Sequence, residues 1–538
     1  MKRFKSIMLI MLMLSMIITT SCSTKPAAPA ATPATPAAPA APAAPAAPST
    51  PTDRKIADKI VIGRIQDSDD LDPVTQDGNV NIWMFNLVLE GLVKTSDDGT
   101  SIEPSLAEKW EVSPDGLTYT FHIKEGLKFS DGTPVTGEDW VWSLKRTGNT
   151  PESIWLFASE GMVDVTAPDD VTVVITLDKA RASFLAQLAM FNMTVQNKAY
   201  YDKIGQVEYS QKPMGTGPYM IKEWKIGEYL SLEKNPEFYM EGLPKTKEIV
   251  FTVVPDDNTR SLQLESGQID VATFVPFTKM AELDAKEELV AFGIPSTESR
   301  YVVFNNGIKP FDDIRVRQAM QHGTNKDEMV EFILQGYGET ATSFASPAGL
   351  FYNDKLVPYE YDVEKAKALL AEAGYPNGFE VEVLVRAGNA VYEQMAVVLK
   401  QQWEKIGVTA NILSLESATA VAKYRALEHE ITFSGWTNDM NDPIQQVEYV
   451  VIPEVVSAYY TQWVNQEAID LAQAGKVELD LKKREEIYLK IQELHHADSP
   501  MMPVFNSSYP VAMYKDVEGF VQTPLGNYRF ENLVKYID

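Results

Sequence analysis

Hydrophobic positions change their spacing several times along this chain. Residues 7–18 are an apolar run interrupted only by Ser15, and residues 26–51 carry almost nothing but Pro, Ala, Thr and Ser. From Lys55 onward periodic patterns begin. Alternation of apolar and polar positions, which places every second side chain on one face of a strand, predicts strands over residues 59–65, 117–123, 171–177, 248–254, 380–386, 409–413 and 431–436. Spacings of three and four predict helices over residues 82–92, with Trp83, Val88 and Leu92 on the apolar side, and over 258–265, 315–321, 363–373, 392–406 and 482–494. The stretch from 101 to 211 is different: its strands are short and turn signals punctuate it, namely Pro114-Asp115-Gly116, Asp131-Gly132 and Pro168-Asp169. No repeat of fixed period is present. Strands alternating with helices argue for open, mixed sheets covered by helices on both faces.

The first apolar run is about a dozen residues long, where a membrane span needs roughly twenty. Preceded by Lys2, Arg3 and Lys5, it reads as a secretory signal. Thr19, Thr20 and Ser21 lead into Cys22, the single cysteine of the chain. This resembles a bacterial lipobox, in which the signal is cut before Cys and the thiol carries lipid; Thr19 stands where a larger apolar residue is usual. The Pro/Ala stretch that follows has nothing to bury and favours an extended chain, able to hold a domain up to roughly 80 Å from a membrane. Domain limits follow: 1–21 signal peptide and 22–54 lipid-anchored linker.

Composition narrows the function. At 538 residues and 45% apolar residues, the chain can build two or more packed domains. A formal charge of −27, or −30 once the three basic residues of the signal are gone, repels phosphate backbones, so nucleic acid is excluded as a partner. One cysteine rules out an internal disulfide and thiolate metal sites. There is no Gly-x-Ser-x-Gly elbow, no His-Glu-x-x-His pair and no phosphate-cradling Gly loop. No catalytic activity and no cofactor are therefore expected; a secreted hydrolase is the rival reading of another class.

Several segments carry a resemblance. Ala107-Glu108-Lys109-Trp110-Glu111-Val112-Ser113-Pro114-Asp115-Gly116-Leu117-Thr118-Tyr119-Thr120-Phe121 is similar to a signature of the peptide/nickel-binding family of extracellular solute-binding proteins. The similarity continues through Glu125 to Thr136, then Pro213-Met214-Gly215-Thr216-Gly217-Pro218-Tyr219, Gly267-Gln268-Ile269-Asp270, Arg315-Val316-Arg317-Gln318-Ala319 and Gly374-Tyr375-Pro376, in the family's order. The resemblance implies an α/β, two-lobed periplasmic-binding-protein-like fold with mixed sheets, two hinge crossings and a β-rich subdomain inserted in lobe I. Its limits are expected at 55–100 (lobe I), 101–211 (inserted subdomain), 212–300 (lobe I), 301–503 (lobe II) and 504–538 (lobe I again). It further implies a monomer that captures peptides between its lobes, hands them to the permease subunits of an ABC importer, and stays on the membrane through lipid at Cys22, extracytoplasmically at the cell surface or in a periplasm.

Most of the shared motif has a structural account: Asp115-Gly116 and Asp131-Gly132 as turns, and Trp110, Tyr119, Phe121 and Phe129 as core. The segment 431–443 is the informative one. Its strand ends at Trp436 and runs into a polar loop, where α/β sheets place their ligands. Asp442 before Pro443 reads as a helix cap, which leaves Asp439 without a task. In the peptide binders that the chain resembles, the Asp of Gly-Trp-x-x-Asp receives the ligand's α-ammonium; that is Asp439 here, with Trp436 and Thr437 on the same wall. The family's dipeptide binders clamp the peptide carboxylate with an Arg in the helix whose first turn here reads Val391-Tyr392-Glu393-Gln394. The departure leaves open longer peptides or another amine-bearing solute, with Arg386 on the preceding strand as a substitute clamp. Asn79 and Asn81, in Asp77-Gly78-Asn79-Val80-Asn81, are expected to reach the ligand from lobe I. Tyr301 and Asn305 flank the first hinge crossing, and Phe505 and Asn506 the second. His495-His496 is the sole histidine cluster; adjacent helical residues point about 100° apart, so no metal site is expected. Nickel chelates and sugars remain rival ligands.

Overall fold

Alternating sequence becomes strand almost wherever it occurs, and the strands build one long sheet. The computed structural model describes residues 54–76, 78–456 and 459–537. The signal segment, Cys22, the Pro/Ala-rich linker and Asp77 lie outside the described residues.

The large sheet has eleven strands: β1 (Lys59–Arg64), β2 (Tyr219–Lys225), β3 (Tyr229–Lys234), β4 (Glu248–Val253), β5 (Val271–Thr273), β6 (Leu289–Phe304), β7 (Gly338–Thr340), β8 (Phe379–Arg386), β9 (Val408–Leu415), β10 (Ile431–Trp436) and β11 (Met501–Tyr514). Their order is β9-β8-β10-β6-β11-β5-β1-β4-β3-β2, with β7 paired to β11. β6 and β11 run antiparallel through its centre and serve both lobes. Residues 289–295 of β6 pair with 508–514, the pairing breaks, and it resumes as Ser299↔Asn506. That break, over 296–298, is the hinge crossing. The two lobes are thus joined by two continuous strands, an α/β architecture of mixed sheets as the resemblance implied.

A separate four-stranded antiparallel sheet falls within residues 101–211, formed by Ala107–Val112, Thr118–Ile123, Thr172–Leu177 and Met162–Asp169 in that order. A buried bidentate pair between Arg146 of this segment and Asp72 ties it to lobe I. Lobe II has its own core, in which Val383, Tyr392, Leu399, Trp403 and Phe433 pack under β8 and β10.

One predicted element does not form. Residues 82–92 are not a helix: a helical turn covers Asn79–Ile82 and a 3₁₀ turn Phe85–Leu87. Ile82, Trp83, Met84, Phe85, Leu87, Val88 and Leu89 are all buried, so their apolar pattern marks no single face. The carbonyl of Val88 is taken at 3.0 Å by the N–H of Gly217 instead of by its own helix. Gly215 and Gly217 are glycines for the same contact, since a Cβ on either would collide with the Val88–Leu89 backbone.

Candidate ligand-binding cleft

Strand direction brings the two lobes' chemistry to one place. β8, β9 and β10 are mutually parallel and end at Arg386, Leu415 and Trp436. β6 is antiparallel to β10, so Ser299 and Arg300 enter opposite Trp436 and Gly435 at that same edge. On the other lobe β1, β4 and β5 are parallel and β5 ends at Thr273, beside Val511 of β11. Both sets of carboxyl ends therefore flank the break at 296–298, the position where open α/β sheets bind ligands.

The loop after β10 is pinned to the hinge. The N–H of Asn438 donates to Thr297 Oγ1 at 2.9 Å, and Trp436 Nε1 donates to Asn438 Oδ1 at 2.7 Å. Asp439 follows, half-buried. Gln445 Nε2 donates to its Oδ2 at 2.9 Å, and it has no ion-pair partner among the described residues. Burial pushes its carboxyl up to about 6, the Gln445 bond offsetting part of that effect. Asp442 is its opposite. It lies one residue ahead of the assigned cap, Pro443, of helix Ile444–Val451, accepts from the N–H of Ile444 at 3.0 Å, and holds the buried Arg484 through two bonds of 2.6 and 2.8 Å. Its main task is that ion pair and not the cap alone. Trp436 packs against Tyr449 at 5.0 Å and Tyr459 at 6.1 Å between ring centroids, and Thr437 continues this half-buried wall.

A second charged group at this edge was not anticipated in full. Arg300 lies along the backbone of Gly435, where any Cβ would collide with its guanidinium, and pairs with Glu298. Arg386 enters from the other side of β10. Both guanidinium groups sit over the ring of Tyr392, at 5.8 and 5.2 Å from its centroid, and Arg386 Nε is buried without an acceptor. A glycine inside a strand was the sequence signal, since it marks close approach of another group; what approaches depends on the register of β6.

Lobe I faces them with an aromatic wall. Trp83 stacks on Phe274 at 5.8 Å and 11° and meets Tyr509 at 4.9 Å. Gly526, at φ +97, leaves room for the Trp83 indole. The Tyr509 hydroxyl is held well above its ordinary range by burial, then by the charges of Glu298 and Asp439, which places both carboxylates in its neighbourhood.

The other expected residues divide. Asn79 is exposed at the start of its turn, whereas Asn81 is buried with its Oδ1 accepting from Ser68 Oγ at 3.0 Å. Tyr301 lies fully buried, donating to the carbonyl of Phe344 at 2.6 Å and accepting from Gln446. Asn305 is buried too and bonds the carbonyls of Leu427 and His429. Phe505 belongs to the lobe II core. Asn506 accepts from Ser299 Oγ at 2.7 Å, and its Nδ2 is a buried donor without a partner. The structure thus groups Asp439, Trp436, Thr437 and Asn506 about the break, and sets Tyr301, Asn305 and Phe505 into packing behind it. His495 is wedged between Phe344 and Trp463 while His496 packs on Tyr359; no group of three metal-ligating side chains occurs among the described residues.

Comparison with known proteins bears on this arrangement. The profile of the bacterial extracellular solute-binding proteins, family 5 Middle, matches residues 101–455. The dipeptide-binding protein of Escherichia coli (strain K12) is 30% identical over 84% of this chain and 89% of its own. Heme-binding protein A of Haemophilus influenzae is 32% identical over 82% of this chain and 85% of its own. Among solved structures, an ABC transporter-associated periplasmic binding protein from Helicobacter pylori in complex with the peptide STSA superposes with a TM-score of 0.77 at 27% identity, covering 89% of this chain and 98% of that one.

Proposed function

This chain belongs to the bacterial extracellular solute-binding proteins of family 5, and on that premise we propose that its ligand is a peptide held by its free α-ammonium at Asp439. As a member of the family it is an extracytoplasmic binding protein that supplies an ABC importer, and its role is capture, not catalysis. The finer reading concerns what is captured.

One observation carries it: Asp439 is a half-buried carboxylate at the lobe junction with a neutral amide as its hydrogen-bond partner and no cation paired to it among the described residues. A carboxylate left in that state costs stability unless a ligand supplies the charge. An ammonium does so with short, charge-assisted bonds. Arg386, at the same edge as the Glu298-paired Arg300, offers the complementary charge for the far end of a zwitterion. Dipeptide and STSA are ligands of relatives, while a heme-binding relative supports a different cargo; heme has no ammonium to answer Asp439. The lipid at Cys22, the tether and the monomeric state belong to the same proposal and rest on the sequence.

Calorimetry with a free and an N-acetylated peptide on wild type and Asp439→Asn tests it. Acetylation is expected to weaken binding to wild type strongly and to the variant much less, and Asp439→Asn itself to cost about 3–5 kcal/mol, roughly two to four decades in Kd. Equal tolerance of acetylation by both proteins would remove Asp439 as the amine partner.

A further inference from the structure

Alternation along β5 sets Val271 and Thr273 on one face of the large sheet and Ala272 on the other, and would add residue 275 to the face of Val271. The chain breaks that order. Val275 joins Ala272 in the small core under helices Asp257–Glu265 and Phe277–Asp284. Val271 lies in the main core on the opposite face, and Phe274 packs at the edge of that same core, as Trp436 and Tyr449 do. The exchange is made in the backbone of Phe274, at φ +52, a left-handed conformation that is an outlier for a bulky side chain.

Both sides of this residue are held. The buried guanidinium of Arg260 donates to the carbonyls of Val254 at 2.7 Å, Thr273 at 3.0 Å and Phe274 at 2.6 Å, and to the carboxylate of Asp257 at 2.6 Å. The N–H of Val275 donates to the carbonyl of Pro510 at 3.2 Å. Backbone strain of this kind persists only where the surroundings over-determine it, and it collects at sites of function. What it secures here is the place of one ring. Turned away from the helix-covered face, Phe274 lies flat on Trp83 and meets Tyr509 edge-on at 6.3 Å. Trp83 and Tyr509 are buried, whereas Phe274 is half-exposed, so its ring is the surface that this wall presents.

The wall borders the lobe junction. Tyr509 pairs with Ile294, two residues before the break at 296–298, and Trp436 pairs with Ser299 just after it. The Tyr509 hydroxyl is engaged by the carbonyl of Pro524 at 3.3 Å, so the ring behind Phe274 is fixed as well. We propose that Phe274 is the specificity-determining residue of lobe I and offers its ring to an aromatic side chain of the ligand. The inference rests on the peptide reading above. A flat, rigid ring without charge suits a planar partner, because stacked or edge-on aromatic pairs gain affinity beyond the area they bury. An aliphatic side chain on the same surface gains the area alone.

Calorimetry on the full-length protein decides it, with Ala-Ala-Ala and the three tripeptides that carry phenylalanine at one position. Each is compared with its cyclohexylalanine counterpart, which keeps the size of the ring and loses its π face. At one position phenylalanine is expected to bind about 2–12-fold tighter than cyclohexylalanine, and Phe274→Leu to abolish that preference. Equal binding of the two at every position, or a preference that Phe274→Leu leaves untouched, would overturn the inference. Urea unfolding of the unliganded protein reads the backbone separately. Phe274→Gly should unfold at a higher urea midpoint than Phe274→Ala, since glycine takes a left-handed φ freely; the reverse order would overturn the strain that holds the ring in place. If phenylalanine and cyclohexylalanine bind equally while N-acetylation still abolishes binding of Ala-Ala-Ala, the aromatic contact fails and the peptide reading stands. If no tripeptide binds, both fall.

Discussion

Three positions separate Asp439 from Asp442, and the fold uses the two carboxylates in opposite ways. Asp442 meets Arg484 in a buried bidentate pair, so its charge is matched inside the protein. Asp439 has an amide and no cation as its partner among the described residues. Its folded-state value of about 6 lies above the ordinary 3.8, so ionisation destabilises the unliganded fold: the cost is absent below pH 4, grows as pH rises, and is complete above 6. At pH 8, Asp439→Asn is expected to raise unfolding stability by on the order of 2–3 kcal/mol, an upper figure given the residue's partial exposure. Asp442→Asn removes one partner of a buried pair and should lower stability by about 3–5 kcal/mol. Urea unfolding of the three proteins compares them, and at pH 4 the advantage of Asp439→Asn should vanish. A gain that persists at pH 4 would mean that the charge of Asp439 is not its source. Stability given up at a binding carboxylate and recovered on ligand capture is the expected signature of a site built for a cation.

At the scale of elements, β10 does most of the positioning. Its carboxyl end delivers Trp436 and the Asp439 loop, Gly435 makes room for Arg300, and its neighbour β8 delivers Arg386. If the two guanidiniums over Tyr392 hold a ligand carboxylate, a C-amidated peptide should bind wild type about 10–100-fold more weakly than the free acid. Arg386→Met should remove much of that difference by weakening only the acid, as read by calorimetry. Amidation that changes nothing in either protein would leave the pair with a packing role. The strands themselves were legible because alternation survives any register: 431–436 was read to the residue, and 380–386 and 409–413 to within two. Asp439 stood out in the sequence as a carboxylate left over after local capping, and in the fold its side chain meets the amide of Gln445. What could not be read depends on contacts between distant segments. The Arg484 partner of Asp442, the approach of Arg300 to Gly435, and the capture of the Val88 carbonyl that prevents a helix at 82–92 all follow from register and packing, which spacing along one segment does not encode.

Across the whole molecule, the titrating interior groups oppose one another. Glu90, which accepts from Thr216 and Tyr239 in lobe I, is pushed up to about 7 by burial, and Asp439 to about 6. Both bind a proton more readily folded than unfolded, so each stabilises the fold as pH falls: Glu90 from about 7 to 4.5, Asp439 from about 6 to 3.8. His429 and His495 behave in reverse. Burial lowers them to about 4 and about 3 from the ordinary 6.5, so the unfolded chain takes up their protons first and stability is lost as pH falls below 6.5. His496, lowered in the same direction, adds to the loss. Each group contributes up to about 1.4 kcal/mol per pH unit inside its window, so between pH 6 and 4.5 the two carboxylates offset much of the loss that the three histidines bring. The double variant Glu90→Gln, Asp439→Asn removes the gains and exposes the histidines. Its unfolding free energy, read by urea titration, is expected to fall with acid more steeply than that of wild type over that range, by about 2.7 kcal/mol per pH unit for the two carboxylates removed. A double variant no steeper than wild type would show that the two carboxylates do not offset the buried imidazoles. The expected slope instead ties the acid tolerance of an extracytoplasmic binding protein to the same unpaired carboxylate that its ligand is proposed to fill.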